Sequence, residues 1–236
     1  MNPPHRWDLS PTEAIALQRE LSRQVRLTPL AKEPETIAGA DLSFHRFSNI
    51  VDAGIVVLRL RDLSILDSSH VRTTAPFPYL PGLLSFREAP PLLEAWERLH
   101  IKPDVLMLDG HGTAHPRRFG LACHLGLWLD LPTIGCAKQR LTGQALDPPL
   151  TRGGSSPLEA ASEVIGMVVR TRDRVAPVYV SPGHRIDLAT AVRLVLASTL
   201  RHRQPEPTRQ AHLLVNQLRR QLNESSPAAS LDPTRA

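Results

Sequence analysis

The sequence predicts an α/β fold, a mixed β-sheet flanked by helices, and three observations carry that expectation. Three strand-like runs follow one another over residues 36–72 with short polar connections, as in an antiparallel meander. Two nearly all-apolar runs, 104–110 and 131–138, then read as strands buried on both faces. Segments with apolar residues at helical spacing lie between and around them. At 236 residues and 42% apolar content, the chain is long and apolar enough to bury a core.

The first helix is expected within 10–27, where Ser10, Pro11 and Glu13 fit a capping box with proline at the first helical position. Ala14, Leu17, Leu21 and Val25 follow on one face. The three strands are "TIAGADLSF" (36–44), "DAGIVVLRL" (52–60) and "LSILDSSHVR" (63–72). A proline-rich loop comes next, then a helix over 91–100 with Leu92, Trp96 and Leu99 on one side. After the buried strand at 104–110, a helix is expected from Pro116 to Asp130, its Ala122, Cys123 and Gly126 small enough to pack closely on a sheet. Residues 142–162 read as a long surface loop rich in Gly, Pro and Ser. Strands at 163–172 and 176–180 and helices at 187–201 and 208–222 complete the chain. With no repeat and no break, a single domain over 1–223 is expected, with a disordered tail over 224–236.

The net charge is +5, and residues 184–236 hold eight arginines against four acids, a bias that suits a polyanionic partner such as nucleic acid. Cys123 and Cys136 are the only cysteines, so they are expected as reduced core residues and are too few for a cysteine zinc site. No stretch approaches the roughly 18–20 apolar residues of a membrane helix. The first twenty residues carry charges within their apolar pattern, unlike a secretion signal, so a cytoplasmic protein is expected.

Several polar residues stand where packing alone does not explain them. Asp41 interrupts an apolar strand with no turn signal around it, and a poorly paired buried carboxylate costs several kcal/mol. Asp109 ends the next apolar strand, and Glu88 adds a third carboxylate. Together on a mixed sheet, three such groups suit a divalent cation, Mg²⁺ or Mn²⁺ rather than zinc, because their donors are all oxygen. Taken singly, Asp109 also reads as a turn residue and Glu88 as an acid near a helix N-terminus.

"DGHGTAHPRRFG" (109–120) has glycines at 110 and 112 that allow close backbone approach, and His111 and His115 suit metal binding or proton transfer. His115 serves equally as a cap for the helix expected at Pro116. Arg117 and Arg118, in the first turn of that helix, would face an anion or plain solvent. Lys138 follows a buried strand, where it either reaches a phosphate or is simply solvated. Tyr79, one of only two tyrosines, stands between Pro78 and Pro81 in a stiff loop.

These pieces together resemble the endonuclease V family, the deoxyinosine 3′-endonucleases of DNA repair. The matching stretches are "IAGADLSF", "PYLPGLLSFRE", "DGHGTAHPRRFG", "DLPTIGCAKQRL", "SPGHRID" and "PEPTRQAH", in family order over residues 37 to about 215. The departures, leucine for the usual isoleucine in "PYLPG" and cysteine for valine in "GCAK", are apolar and leave the chemistry intact. The resemblance implies a ribonuclease-H-like fold. It implies hydrolysis of the second phosphodiester on the 3′ side of a hypoxanthine nucleotide, leaving a 3′-hydroxyl and a 5′-phosphate.

By the same resemblance Asp41 and Asp109 match the Mg²⁺ ligands, Glu88 the third active-site carboxylate and Lys138 the catalytic lysine. Tyr79 matches the strand-separating wedge, and His212 a residue near the metal in some members. Gly82, Leu84 and Gly110 are expected to form the lesion pocket with backbone groups, donating to O6 and accepting from N1 of hypoxanthine. The partner expected is damaged DNA, with inosine-containing RNA as the alternative, and the enzyme is expected to be a monomer. Three other readings fit parts of the sequence: another ribonuclease-H-like nuclease, a non-catalytic nucleic-acid-binding protein, and a His/Asp metal hydrolase suggested by "HGTAH".

Overall fold

A computed structural model describes residues 5–45 and 48–225. Helix α1 (Pro11–Leu21) opens with the expected capping box: Glu13 N donates to Ser10 Oγ at 3.3 Å, and Ser10 N donates to Glu13 Oε2 at 2.8 Å. A 3₁₀ turn, Ser22–Gln24, follows. Strand β1 (Thr36–Phe44) has the predicted bounds; β2 (Ile50–Arg59) and β3 (Ile65–Thr74) lie within two residues of theirs. Then come α2 (Leu84–Glu97), β4 (Val105–Leu108), α3 (Leu121–Leu129) and β5 (Thr133–Ala137). Strands β6 (Ser155–Ala160), β7 (Glu163–Val169) and β8 (Val178–Pro182) lead to α4 (Leu188–Ala197) and α5 (Glu206–Ser225).

The eight strands form one sheet in the order β3-β2-β1-β4-β5-β8-β7-β6. The predicted meander pairs β1, β2 and β3 antiparallel, while β4 joins β1 in parallel and β5 joins β4 in parallel. Strands β8, β7 and β6 extend the sheet antiparallel beyond β5. The mixed sheet flanked by helices is the ribonuclease-H-like α/β arrangement that the sequence led us to expect.

Alternation along the central strands decides which helices cover which face. Ala38, Ala40, Leu106 and Leu108 pack with Leu92 and Trp96 of α2 and Ala122 and Leu125 of α3. Ile37, Val105, Met107 and Ile134 face the other way, onto Leu194 and Val195 of α4 and Ala211 of α5. Burying a side chain of this size contributes about 1.5–3 kcal/mol, so these two layers hold the sheet edge that carries the polar residues. Gly126 is required by contact rather than by turn geometry: a Cβ there would lie 2.3 Å from Thr133 Oγ1. Both cysteines are free and buried, as expected.

Three elements differ from the sequence reading. Helix α2 begins at Leu84 rather than 91 and contains Pro90 and Pro91, so Glu88 lies inside it and not at its start. Helix α3 begins at Leu121, so Arg117 and Arg118 precede it and neither occupies a helical first turn. Part of the expected loop at 142–162 is β6, whose buried Ser156 and Leu158 face inward. At the far end α5 runs to Ser225, past the expected start of the tail, and residues 226–236 lie outside the described residues. No helix of the described residues is long and apolar enough to cross a membrane.

Candidate active site

The central strands deliver three of the expected residues to one edge of the sheet. In the β1–β4 ladder the last pair is Ala40↔Leu108, and Asp41 and Asp109 each stand one residue beyond it. Lys138 stands one residue past the end of β5, the next strand over. Ligands gather at the carboxyl ends of parallel strands because side chains and loops leave the sheet there. Asp41 follows Ile37 and Gly39 on the face covered by α5. A Cβ on Gly39 would come within 2.0 Å of Pro207 C and O, so only glycine lets α5 lie this close to β1. That closeness brings His212 onto Asp41, with Nδ1 to Oδ2 at 2.7 Å. Lys138 Nζ pairs with Asp109 Oδ2 at 2.5 Å.

The carboxylates are held at an electrostatic disadvantage. Burial and the neighbouring Asp109 charge raise the Asp41 pKa, and the His212 bond only partly opposes them. Glu88 is pushed up to about 8, first by burial and then by the charges of Asp41 and Asp109; Arg87 works against the shift. Asp41 and Glu88 are therefore disfavoured as anions by poor solvation and by the like charges beside them. Among the described residues no group of three or more His, Cys, Asp or Glu is gathered tightly enough to hold a metal as it stands. One oxygen of Asp41 is turned to His212 and one of Asp109 to Lys138. The donor set nevertheless fits a divalent cation: all its donors are oxygens, and its mutual repulsion is what such a charge would relieve.

Beside these carboxylates lies a cavity of about 150 Å³, lined in part by Tyr79, Gly82, Leu84, Ser85, Glu88, Gly110, His111 and His115. Drug-sized pockets run from about 300 to 1,000 Å³, so this one suits a single small ring system. The three residues expected to form a lesion pocket are thus brought together, with Glu88 in the same wall. No side chain caps the start of α2, and Phe86 N donates to Leu83 O at 3.1 Å, so the donors of the first turn left facing Gly82 are the Leu84 and Ser85 N–H groups. Tyr79 at the mouth is 69% exposed.

One expectation about this pocket needs correcting. The Gly82 carbonyl already accepts from Gln18 Nε2 at 3.1 Å, His115 Nε2 at 3.0 Å and Arg117 Nη2 at 2.5 Å. With three donors on it, that carbonyl is not free to accept from N1 of a base. His115 Nδ1 accepts from Arg117 N at 3.2 Å. Burial, and then the Arg117 charge, lower the His115 pKa to about 4, so the ring is a neutral strut of the pocket wall. Arg117 serves the same wall, and Arg118 instead pairs with Glu163. Gly82 needs to be glycine, since its φ is +78°.

The sequence reading missed Gln18, buried in α1 and bonded to both Gly82 O and Phe119 O. Nothing local distinguishes it from any other polar residue of an amphipathic helix. A signal that was readable and unused concerns Lys138. Only Lys32, Lys102 and Lys138 are lysines among 28 basic residues, so a lysine at a strand end is unusual for this chain. On the other side of Asp41 lies an open cleft of about 1,000 Å³, lined by Ser43, Phe44, His212, Asn216, Arg219 and Arg220 among others.

Comparison with known proteins adds the following. The family described as Endonuclease V matches residues 19–213. Endonuclease V of Myxococcus xanthus is 50% identical over 222 residues, covering 94% of this chain and 94% of that protein. The crystal structure of Endonuclease V from Streptomyces avermitilis is 40% identical with a TM-score of 0.87, covering 95% of this chain and 98% of that one. A Ciona intestinalis Endonuclease V, solved with a DNA containing an inosine followed by a ribo-adenosine, shares the fold at 24% identity and a TM-score of 0.77. That likeness covers 91% of this chain and 98% of the other.

Proposed function

The chain belongs to the endonuclease V family, a family of nucleases that hydrolyse phosphodiester bonds, and from that premise we propose that it nicks DNA at deoxyinosine. The bond cut is the second phosphodiester on the 3′ side of the lesion, and the base is not removed. The observation that carries this reading is the cavity whose wall holds both the glycine of the proline-rich loop and the half-buried Glu88. A base admitted there lies directly beside the carboxylates. Hypoxanthine must leave the stack to reach it, which costs a few kcal/mol and less at a mismatched pair. The exposed ring of Tyr79 fills the gap left behind, held out by the flanking prolines. The Leu84 and Ser85 N–H groups at the start of α2 donate to O6.

The family uses a divalent cation, and Mg²⁺ is the one proposed, with Mn²⁺ as a substitute. Asp41 and Asp109 would hold it; it supplies positive charge against the scissile phosphate and lowers the pKa of water. Glu88 orients the attacking water through its carboxylate. The water oxygen bonds to phosphorus and the bond to the 3′-oxygen breaks, giving a 3′-hydroxyl and a 5′-phosphate. The Lys138 ammonium, beside Asp109, neutralises charge that builds on the phosphate oxygens. His212 holds Asp41 in place by its 2.7 Å bond. The nucleic-acid strand runs through the open cleft past Arg219 and Arg220, whose charge suits its phosphates. The enzyme is taken to act as a monomeric, single-domain protein of the cytoplasm.

The test is to map the cut on a duplex with one deoxyinosine, with and without Mg²⁺, beside matched strands carrying inosine in RNA, uracil or an abasic site. A single Mg²⁺-dependent cut one nucleotide beyond deoxyinosine is expected. Equal cutting of lesion-free duplex would defeat the repair reading, and preference for inosine in RNA would move the substrate class.

A further inference from the structure

Lys138 lies just outside the sheet that delivers it. The β5–β8 ladder ends at the pair Ala137↔Tyr179, so no strand neighbour holds the Lys138 carbonyl. Arg203, from the loop between α4 and α5, takes over that task. Its Nη2 donates to Lys138 O at 2.6 Å and to Pro177 O at 2.7 Å, tying the ends of both strands together. The arginine is itself anchored, because its carbonyl accepts from Thr171 Oγ1 at 2.7 Å and Thr171 is fully buried.

Two features set this arginine apart from a surface residue that happens to touch a loop. Its Nε is one of only two buried side-chain polar atoms without a hydrogen-bond partner among the described residues. The guanidinium is therefore placed for the two carbonyls and not for the largest number of bonds. Second, among the described residues no carboxylate forms an ion pair with it, although Lys138 is its neighbour. A purely structural clamp on two carbonyls would work with a neutral donor, whereas here a permanent cation holds the main chain at Lys138. The same loop continues through Pro205 into α5, the helix that puts His212 on Asp41.

We propose that Arg203 is a positioning residue for Lys138, fixing the backbone from which the ammonium reaches Asp109 and the scissile phosphate. The inference rests on the role given to Lys138 above. The experiment is a double-mutant cycle in the full chain with K138A, R203M and the pair, read by single-turnover nicking of a deoxyinosine duplex and by duplex affinity. R203M should slow nicking at least tenfold while affinity changes less than twofold, and R203M/K138A should be no slower than K138A. R203K, which keeps a cationic donor, should recover part of the rate.

A readout independent of activity uses reductive methylation followed by mass spectrometry, with Lys32 and Lys102 as internal references. The labelling rate of Lys138 should change in R203M while the other two stay constant. Multiplying losses in the double variant, equal losses of rate and affinity, or unchanged Lys138 labelling would each overturn the inference. If R203M does not fold, the same cycle is run with R203K. Full activity in K138A would instead overturn the role of Lys138 itself, so the two failures are separable.

Discussion

Asp41 and Asp52 sit on adjacent strands under the same helix, yet the chain treats the two carboxylates in opposite ways. Asp52, on β2 opposite Ser43, is 1% exposed and fully answered: Arg72 Nε lies 2.7 Å from one oxygen and His45 Nε2 2.7 Å from the other. Asp41, opposite Gly54, has one histidine for a partner and two further carboxylates for neighbours. A buried acid bonded to an arginine and a histidine is part of the scaffold, whereas one set among like charges awaits a positive ligand. The sign of what surrounds each sets them apart.

The largest effects follow from removing one charge of each kind. Asp41→Asn and Asp109→Asn should each lower nicking about a thousandfold or more, roughly 4 kcal/mol of transition-state stabilisation. The thermal midpoint of Asp41→Asn should stay at or above that of the unchanged protein, because a repulsion has been relieved. Asp52→Asn should do the reverse, destabilising the fold by about 2–3 kcal/mol in denaturant titrations with activity per folded molecule retained. That figure lies below the roughly 3–5 kcal/mol of a fully buried pair because Arg72 is partly open to solvent. A catalytic loss in Asp52→Asn as deep as that in Asp41→Asn would erase the distinction.

Tyr79 carries the same contrast over to an aromatic ring. It is left exposed, while Tyr179 packs partly buried against Leu158 and Ile165. Tyr79→Ala should weaken deoxyinosine-duplex affinity by about 1–3 kcal/mol, the scale of one base–aromatic stack, and leave metal affinity unchanged. Equal affinity for lesion and plain duplex before and after the change would sink the wedge.

A pH dependence at Glu88 carries the comparison into stability. Its pKa is about 8 in the folded, metal-free protein against about 4.5 when unfolded, so the folded state keeps a proton that the unfolded chain has lost between those values. That contribution is fully present below pH 4.5 and disappears as the pH rises through 8. Thermal midpoints of the metal-free protein should fall from pH 5 to pH 9, and Glu88→Gln should flatten the fall. Metal affinity should change the other way, weakening as the pH drops below 8.

Much of this was legible from residues alone, and the exceptions have physical causes. Strand β1 announced itself because Asp41 breaks an otherwise apolar run, and the capping box of α1 is a local pattern. The early start of α2 was hidden by Pro90 and Pro91, which ordinarily end a helix at a cost of about 3 kcal/mol. Burial of Phe86, Ala89, Pro91 and Leu92 offsets that cost here. Strand β6 lies at the sheet edge, where Pro157 is tolerated, and Leu158 is its only large apolar residue. The carboxylates and Lys138 were readable because each is out of place in its own segment. Gln18 and Arg203 were not, since each is ordinary locally and matters only for the distant carbonyl it holds.

The tight seat of α5 on β1 at Gly39 also bears on how the chain is made. Helix α5 is the last described element to leave the ribosome, while the strands it covers are among the first. Until it docks, the sheet face bearing Asp41 lacks both its apolar cover and His212. The loop leading into it also carries Arg203, so the main chain at Lys138 waits for the same late segment. A nascent chain long enough to display Asp41, Glu88 and Asp109 therefore still lacks the helix that covers and pairs the first of them.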